Sequence, residues 1–293
     1  MQARLIAYPP DQAAMARTLE PGMPLSIGRA VDAGLRLDHP SVSRVHAELR
    51  FDGSHWQLRD LGSKNGSFLD GIRVHESALL RPCWLRLGDV YCEFAPLSDA
   101  EAAAAEAGWQ ARRASITART ARLDALANLD DLLDASLRGV VELAQCERGF
   151  VLLARDDGFV VRASLALDPA HLAARTFSGS VGAIRHALGE RRSVVANDVG
   201  RDPRLASRAS VVSAGLNALI ALPLREGERA RGAIYADRIR PGPAITTLDL
   251  ELLEAFAETA ALRIAARRNS DLLDGAADAP DWQAIVAAHE DGA

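Results

Sequence analysis

Three short stretches in the first third of the chain hold most of its concentrated polar chemistry. They are Gly28-Arg29, Ser41-Val42-Ser43-Arg44-Val45-His46 and Gly62-Ser63-Lys64-Asn65-Gly66. All three fall between apolar runs, among turn-forming residues, which puts their side chains on loops. Arginine offers a bidentate fork, serine a hydroxyl donor, arginine or lysine a second positive charge, and asparagine an amide that can bond a peptide backbone. Those groups suit a phosphate dianion on an extended peptide. Any one of them alone reads differently: Arg29 as a surface arginine, and Gly28, Gly66 and Gly71 as residues that turn geometry needs whatever is bound. The conjunction points to a recognition site. Nothing comparable points to catalysis, since the chain shows no nucleophile–base pairing, P-loop or H-E-x-x-H. His39, His46, His55 and His75 share no regular ligand spacing, so no metal is expected.

Loops of this kind need a rigid frame, and residues 1–97 supply the pattern of one. Short runs recur every eight to twelve residues: ARLIAY, PLSIGR, LRLD, VHAELRF, HWQLRDL, SFLDG, ALLRP, WLRLGD and VYCEFAPL. Asp-Gly, Gly-Ser and Asn-Gly pairs separate them. This predicts a small all-β sandwich with recognition residues gathered on its loops.

The texture changes near residue 98. Residues 98–146 lose Gly and Pro almost entirely and gain Ala, Arg, Leu and Glu, and 98–129 reads as a helical linker. Its arginines Arg112, Arg113, Arg119 and Arg122 read as a solvated face, with Thr117 and Thr120 beside them. Residues 130–268 mix strands and helices, predicting an α+β domain with an antiparallel sheet flanked by helices. Expected elements include a helix ending near Gly189, a hairpin turning at Glu226-Gly227, and a last helix opened by a Thr246/Asp249 capping box. Residues 269–293 read as an acidic tail with a short amphipathic turn at Trp282, Ile285 and Val286.

Composition excludes more than it identifies. The chain has 293 residues, enough for about two domains. No apolar window reaches the roughly 18 residues of a membrane helix, and no secretory signal opens the chain. Three cysteines without metal spacing fit a reducing compartment, so a cytoplasmic location is expected. A net charge of -5 and the absence of a large basic block argue against nucleic-acid binding. Lysine occurs once, at Lys64, inside the third polar loop.

The motifs L-S-I-G-R, S-x-S-R-V-H-A-E-L and L-x-D-L-G-S-K-N-G-S-F-L-D-G, in that order over residues 25–71, resemble the forkhead-associated (FHA) family. With flanking strands the resemblance covers 1–97. It implies a reader of phosphothreonine peptides. Arg29 would then hold the phosphate, Ser43 would donate to it, and Arg44 would add charge beside it. Asn65 would bond the peptide main chain just after the phosphothreonine, and Ser63 and Lys64 would approach the phosphate. His46 would brace the loops, supported by Gly28 and Gly66.

The second domain resembles the GAF family through L-D-D-L-L-D-A-S-L, C-E-R-G-F-V-L-L, L-I-A-L-P-L, G-A-I-Y-A-D and the segment from Ile245 to Ala261. These are packing segments, so they imply a fold and not a ligand. GAF domains that bind cyclic nucleotides carry an Asn-Lys pair and a downstream Phe with Asp-Glu. Here Asp237-Arg238, Ile245 and Asp249-Leu250 stand instead, which argues against that ligand. Cys146 reads as a small apolar residue. The polar stretch from Asn197 to Arg204 reads as a solvated loop.

The expectation is a non-catalytic cytoplasmic adaptor. It docks on a partner phosphorylated by a Ser/Thr kinase, and its GAF domain makes a homodimer or senses an unidentified small ligand. No cofactor is expected. The competing expectation is a GAF-based small-molecule sensor whose first domain is only a protein-contact surface.

Overall fold

The computed structural model describes residues 1–10, 12–126, 128–155, 158–167, 180–197 and 216–268. These fall into two compact units, one ending at Gln110 and the other beginning at Ala111.

The first unit is a sandwich of two sheets. The strands are β1 (Gln2–Tyr8), β2 (Met15–Leu19), β3 (Leu25–Gly28), β4 (Leu35–Arg36), β5 (Ala47–Phe51), β6 (Trp56–Asp60), β7 (Ser67–Leu69), β8 (Ile72–Val74), β9 (Glu76–Leu79), β10 (Cys83–Leu87) and β11 (Val90–Leu97). One sheet runs β2-β1-β11-β10-β7-β8, the other β4-β3-β5-β6-β9. Only the β3–β4 pair is parallel. The period-2 alternation of the sequence is the reason for the layering. In β1, Ala3, Leu5 and Ala7 turn inward. They meet Leu49, Trp56, Leu58, Leu85 and Phe94 in one core. Two strands, β2 and β8, were absent from the sequence reading; both are edge strands with mostly exposed or half-buried residues, so neither shows an apolar run.

Helix α1 spans Asp99–Leu123. Ser98 and Glu101 cap it reciprocally: Glu101 Oε2 accepts from Ser98 N at 2.8 Å and Oγ at 2.7 Å. In its later part, within the second unit, Arg113 and Arg122 are exposed as expected from sequence, but Arg112 and Arg119 are half-buried and paired. Arg112 Nη1 donates to Asp249 Oδ1 at 3.0 Å, and Arg119 pairs with Glu142. Ile116 and Leu123 are its buried residues.

In the second unit α2 (Leu129–Leu143) is followed by β12 (Arg148–Arg155), β13 (Gly158–Leu165), α3 (Val181–Glu190), β14 (Val194–Asn197), β15 (Ala218–Glu226), β16 (Arg229–Arg238) and α4 (Thr247–Arg268). The sheet order is β13-β12-β16-β15-β14, antiparallel throughout. Helices cover both faces. A Cβ on Gly149 would lie 3.2 Å from Leu137 of α2, so that residue faces α2. The next residue, Phe150, stacks on Tyr235 at 5.2 Å and packs with Ile184 and Ala187 of α3. The capping box at α4 is present: Asp249 Oδ2 accepts from Thr246 N at 2.9 Å and Oγ1 at 2.7 Å. Helix α3 ends near Gly189, as expected from sequence. Gly189 stays helical, and Arg191 takes the left-handed cap at φ 56°, with its Nη1 donating to Glu228 O at 3.0 Å. The tail 269–293 and the stretch 198–204 lie outside the described residues.

Candidate functional site: three loops at one end of the sandwich

The three polar stretches meet at the loop end of the first unit. Gly28 closes β3, and a Cβ there would sit 2.1 Å from Arg44 O, so only glycine permits the approach. That approach lets Arg29 N donate to Ser43 O at 2.9 Å and Ala30 N to Arg44 O at 3.1 Å. The second loop is thereby fixed against the first.

His46 joins the second loop to the third. Its ring is fully buried. Nδ1 accepts from Ser43 N at 3.0 Å, so the ring proton sits on Nε2, which faces Gly66 O at 3.2 Å and donates to it. Both bonds need the neutral ring. Burial pushes the His46 pKa below its ordinary value, against opposing pulls from the Gly66 carbonyl and Asp60.

Asp60, the last residue of β6, shapes the third loop. Its carboxylate accepts from Gly62 N and Ser63 N, both at 3.0 Å, from Ser63 Oγ at 2.6 Å and from Ser67 Oγ at 2.7 Å. Burial pushes the Asp60 pKa up, but these hydrogen bonds together outweigh it and hold it below the ordinary carboxyl value. The loop then turns through Gly62 at φ 77° and Gly66 at φ 79°.

Four of the expected residues are exposed at this end: Arg29, Arg44, Lys64 and Asn65. Arg29 Nε makes one long bond of 3.4 Å to Val42 O. Ser43 is half-buried, and its Oγ accepts from Lys64 N at 3.0 Å. Its hydroxyl proton has no acceptor among the described residues, so it can serve a ligand. Asn65 Nδ2 donates to Ser41 O at 2.7 Å, which leaves Oδ1 to accept from a ligand. Ser63 is the residue the fold takes away from the others: it is buried, and its hydroxyl is committed to Asp60. Three cations, one hydroxyl and one amide on a braced backbone can hold a dianion and bond the chain that carries it.

Family models match the chain twice, an FHA domain over residues 25–91 and a GAF domain over residues 128–264. The chain carries an FHA domain followed by a GAF domain. Its FHA domain is 47% identical over 51 residues to the FHA domain-containing protein FhaB of Mycobacterium tuberculosis, covering 17% of this chain and 33% of FhaB. It is 43% identical over 58 residues to the ABC transporter ATP-binding/permease protein Rv1747 of the same organism, covering 20% of this chain and 7% of that protein. The chain therefore spans a third or less of the length of these relatives. Among solved structures, one from a structural and functional analysis of phosphothreonine-dependent FHA domain interactions is 32% identical, with a TM-score of 0.30. It covers 32% of this chain and 98% of that one.

Sequence reasoning gave no role to Asp60, Ser67 or Ser41, although all three lie in the quoted stretches. Asp60 and Ser67 bracket the G-S-K-N-G run, and an acid two residues before a glycine is a turn signal that could have found the first. Ser41 Oγ accepts from Asp89 N at 2.8 Å, a contact between distant loops that no local pattern encodes.

In the GAF domain the pair standing where cyclic-nucleotide binders carry Asn-Lys is occupied internally. Asp237 is fully buried, held by Arg148 and by Tyr235 Oη at 2.7 Å. Arg238 donates to Gln145 O at 2.8 Å and Pro243 O at 2.7 Å. Burial pushes the Cys146 thiol up to about 12, which keeps it protonated near neutral pH and unreactive. An open cleft of about 410 Å³ lies beside α4, lined by Arg191, Arg192, Arg225, Glu254 and Glu258 among others. Its charges are mixed, and Arg225 already pairs with Glu258 at 2.8 Å. No helix among the described residues is long and apolar enough to cross a membrane.

Proposed function

We propose that the protein is a non-catalytic signalling adaptor whose FHA domain captures threonine-phosphorylated partners. The observation that carries the reading is the convergence of Arg29, Ser43, Arg44, Lys64 and Asn65 from three loops braced by the neutral His46 and the anionic Asp60. In this reading Arg29 and Arg44 clamp the phosphate, Ser43 donates its hydroxyl proton to it, and Lys64 adds positive potential around it. Asn65 Oδ1 accepts from the peptide main chain beyond the phosphothreonine. Ser63 contributes through the shape of the loop and not by contact. The GAF domain dimerises the protein or senses a small ligand, and partners are substrates of a Ser/Thr kinase in the cytoplasm.

Titration of the full chain with phosphothreonine, phosphoserine and unmodified versions of one peptide tests it. Phosphothreonine should bind best and the unmodified peptide not measurably. Arg29→Ala should cost at least tenfold, because it removes a charge-assisted bidentate contact. Equal binding of the three peptides, or an unchanged Arg29→Ala, overturns the proposal. Reductive methylation labels Lys64 as the one lysine. Its NMR signal should move on adding the phosphothreonine peptide and stay still with the unmodified one.

A further inference from the structure

A cleft on the GAF domain lies apart from both the recognition loops and the sheet face under α3. Ala221 of β15 packs with Phe150, Tyr235 and α3, and Leu222, the next residue, faces the other way, toward α4. Strand β14 pairs with β15 only as far as Val194 opposite Ala221, so the residues from Leu222 onward have no strand on that edge. Pro223, which has no N–H to offer, stands at this open edge. Where β14 would continue, the chain instead runs back through Ser193 and Arg192 to Arg191, whose left-handed backbone joins it to α3. The space between this turn, the open edge and α4 is the cleft of about 410 Å³.

Its walls are of three kinds. Leu222, Pro223 and Ala257 give it an apolar floor. Arg225 and Glu258 offset each other at 2.8 Å, and Arg191 is turned to Glu228 O at 3.0 Å. Arg192 and Glu254 have no hydrogen bond or ion pair among the described residues, and Arg192 is exposed. The cleft therefore offers apolar area, an open guanidinium and an open carboxylate. A tryptophan flanked by acids answers all three. Its ring covers the floor, its indole N–H donates to the carboxylate, and the acids beside it pair with the guanidinium.

The chain carries such a segment. Residues 269–293 follow α4 directly and hold six acids and no Lys or Arg, and Trp282 stands among them with Asp278 and Asp281 before it. Glu258 lies ten residues before the end of α4, about 15 Å along the helix. Thirteen residues separate Arg268 from Trp282 and can span roughly 45 Å, about three times the way back. We propose that the GAF cleft between the β15 edge and α4 is the docking site of the chain's own acidic segment, with Trp282 on its floor, Glu254 accepting from the indole and Arg192 pairing with the aspartates before it. A segment tethered this closely meets the cleft at an effective concentration in the millimolar range, so the same chain and not a second copy supplies the occupant.

The test is fluorine NMR on the full chain grown with 5-fluorotryptophan, in which Trp282→Phe identifies one of four tryptophan signals. The probe is a neutral gadolinium chelate, which broadens the signals of side chains that water reaches, and the reference is the synthetic peptide 269–293. At a millimolar effective concentration, a contact of about 0.3 mM affinity keeps the segment docked about three-quarters of the time, so the Trp282 line should broaden about fourfold less in the chain than in the peptide. Arg192→Glu, at an exposed position with no partner to lose among the described residues, should weaken docking by up to about fivefold and raise that broadening about two- to threefold. A Trp282 line that broadens in the chain as it does in the peptide overturns the proposal. So does protection that Arg192→Glu leaves unchanged, which puts the contact elsewhere. Protection that grows with protein concentration also overturns it, because the occupant is then a second copy. Each of these outcomes leaves phosphate recognition standing, since Arg29, Ser43, Arg44, Lys64 and Asn65 belong to the other unit.

Discussion

Asp60→Ala tests whether one carboxylate builds the loop that presents Lys64 and Asn65. The wild-type carboxylate accepts four hydrogen bonds. Two of the donors, Gly62 N and Ser63 N, lie at a turn whose first residue is exposed, so water replaces much of what they lose. The other two are the hydroxyls of Ser63 and Ser67, and both residues are buried. Leaving each without its acceptor costs about 1–1.5 kcal/mol, so the FHA unit should lose about 2–3 kcal/mol. For a unit of about 100 residues that is a fall in its Tm of roughly 8–24 °C. Calorimetry on the full chain should show the FHA transition moving and the GAF transition staying. Phosphothreonine-peptide affinity should fall with it, because Ser43 Oγ and Ser41 O lose the partners that the loop holds in place. The pH dependence has a fixed sign. The folded Asp60 pKa is depressed, so its contribution is complete above the unfolded carboxyl value of about 3.9 and is lost as pH falls toward the lower folded value. The gap between wild type and Asp60→Ala should therefore be flat from about pH 5 to 8 and close below about pH 4. A variant with unchanged Tm and unchanged affinity would refute the reasoning.

His46 gives a second pH signature of its own. Its folded pKa is depressed by burial, so its contribution is present above the unfolded value of about 6.5 and is lost as pH falls below it. Ring NMR signals should show His46 titrating below the unperturbed imidazole value of about 6.5, and a His46 that titrates at or above it would contradict the buried neutral ring. In the second unit, Gly139→Ala should lower only the GAF transition. A Cβ there would meet the Phe256 ring at 2.4 Å in the α2–α4 packing, an overpacking cost of about 1–3 kcal/mol against a helix-propensity gain of about 1 kcal/mol. A GAF Tm that rises would show that the ring can move aside.

Much of this was legible because several signals agreed along the chain. The sandwich follows from alternation in β1, β6 and β10, where every second residue reaches the core. The site residues follow from motif order, and the fold brings five of them to one end. What was illegible has a common cause. Strands β2 and β8 are edges without an apolar run, so periodicity has nothing to detect. Ser63 sits inside the right motif but points the wrong way, because the choice between ligand and Asp60 is made by a turn that places the carboxylate 2.6 Å from its hydroxyl. Arg112 and Arg119 read as solvent-facing because their partners, Asp249 and Glu142, are distant in sequence or lie in another helix.

The two groups that brace the FHA loops also settle the charge those loops present. A buried histidine could have been cationic and a half-buried aspartate could have been a free anion. Instead His46 is held neutral by donating to Gly66 O and accepting from Ser43 N, so it adds no charge beneath the site. Asp60 is anionic, but its lone pairs turn toward Gly62, Ser63 and Ser67. The negative charge thus serves the loop's interior, while Arg29, Arg44 and Lys64 stand exposed on the outside. A dianion approaching that surface meets arginine and lysine side chains and one open serine proton. Its attraction should fall with added salt as exposed charges are screened, while the loops that aim those charges stay fixed by hydrogen bonds, mostly part-buried, that salt weakens less.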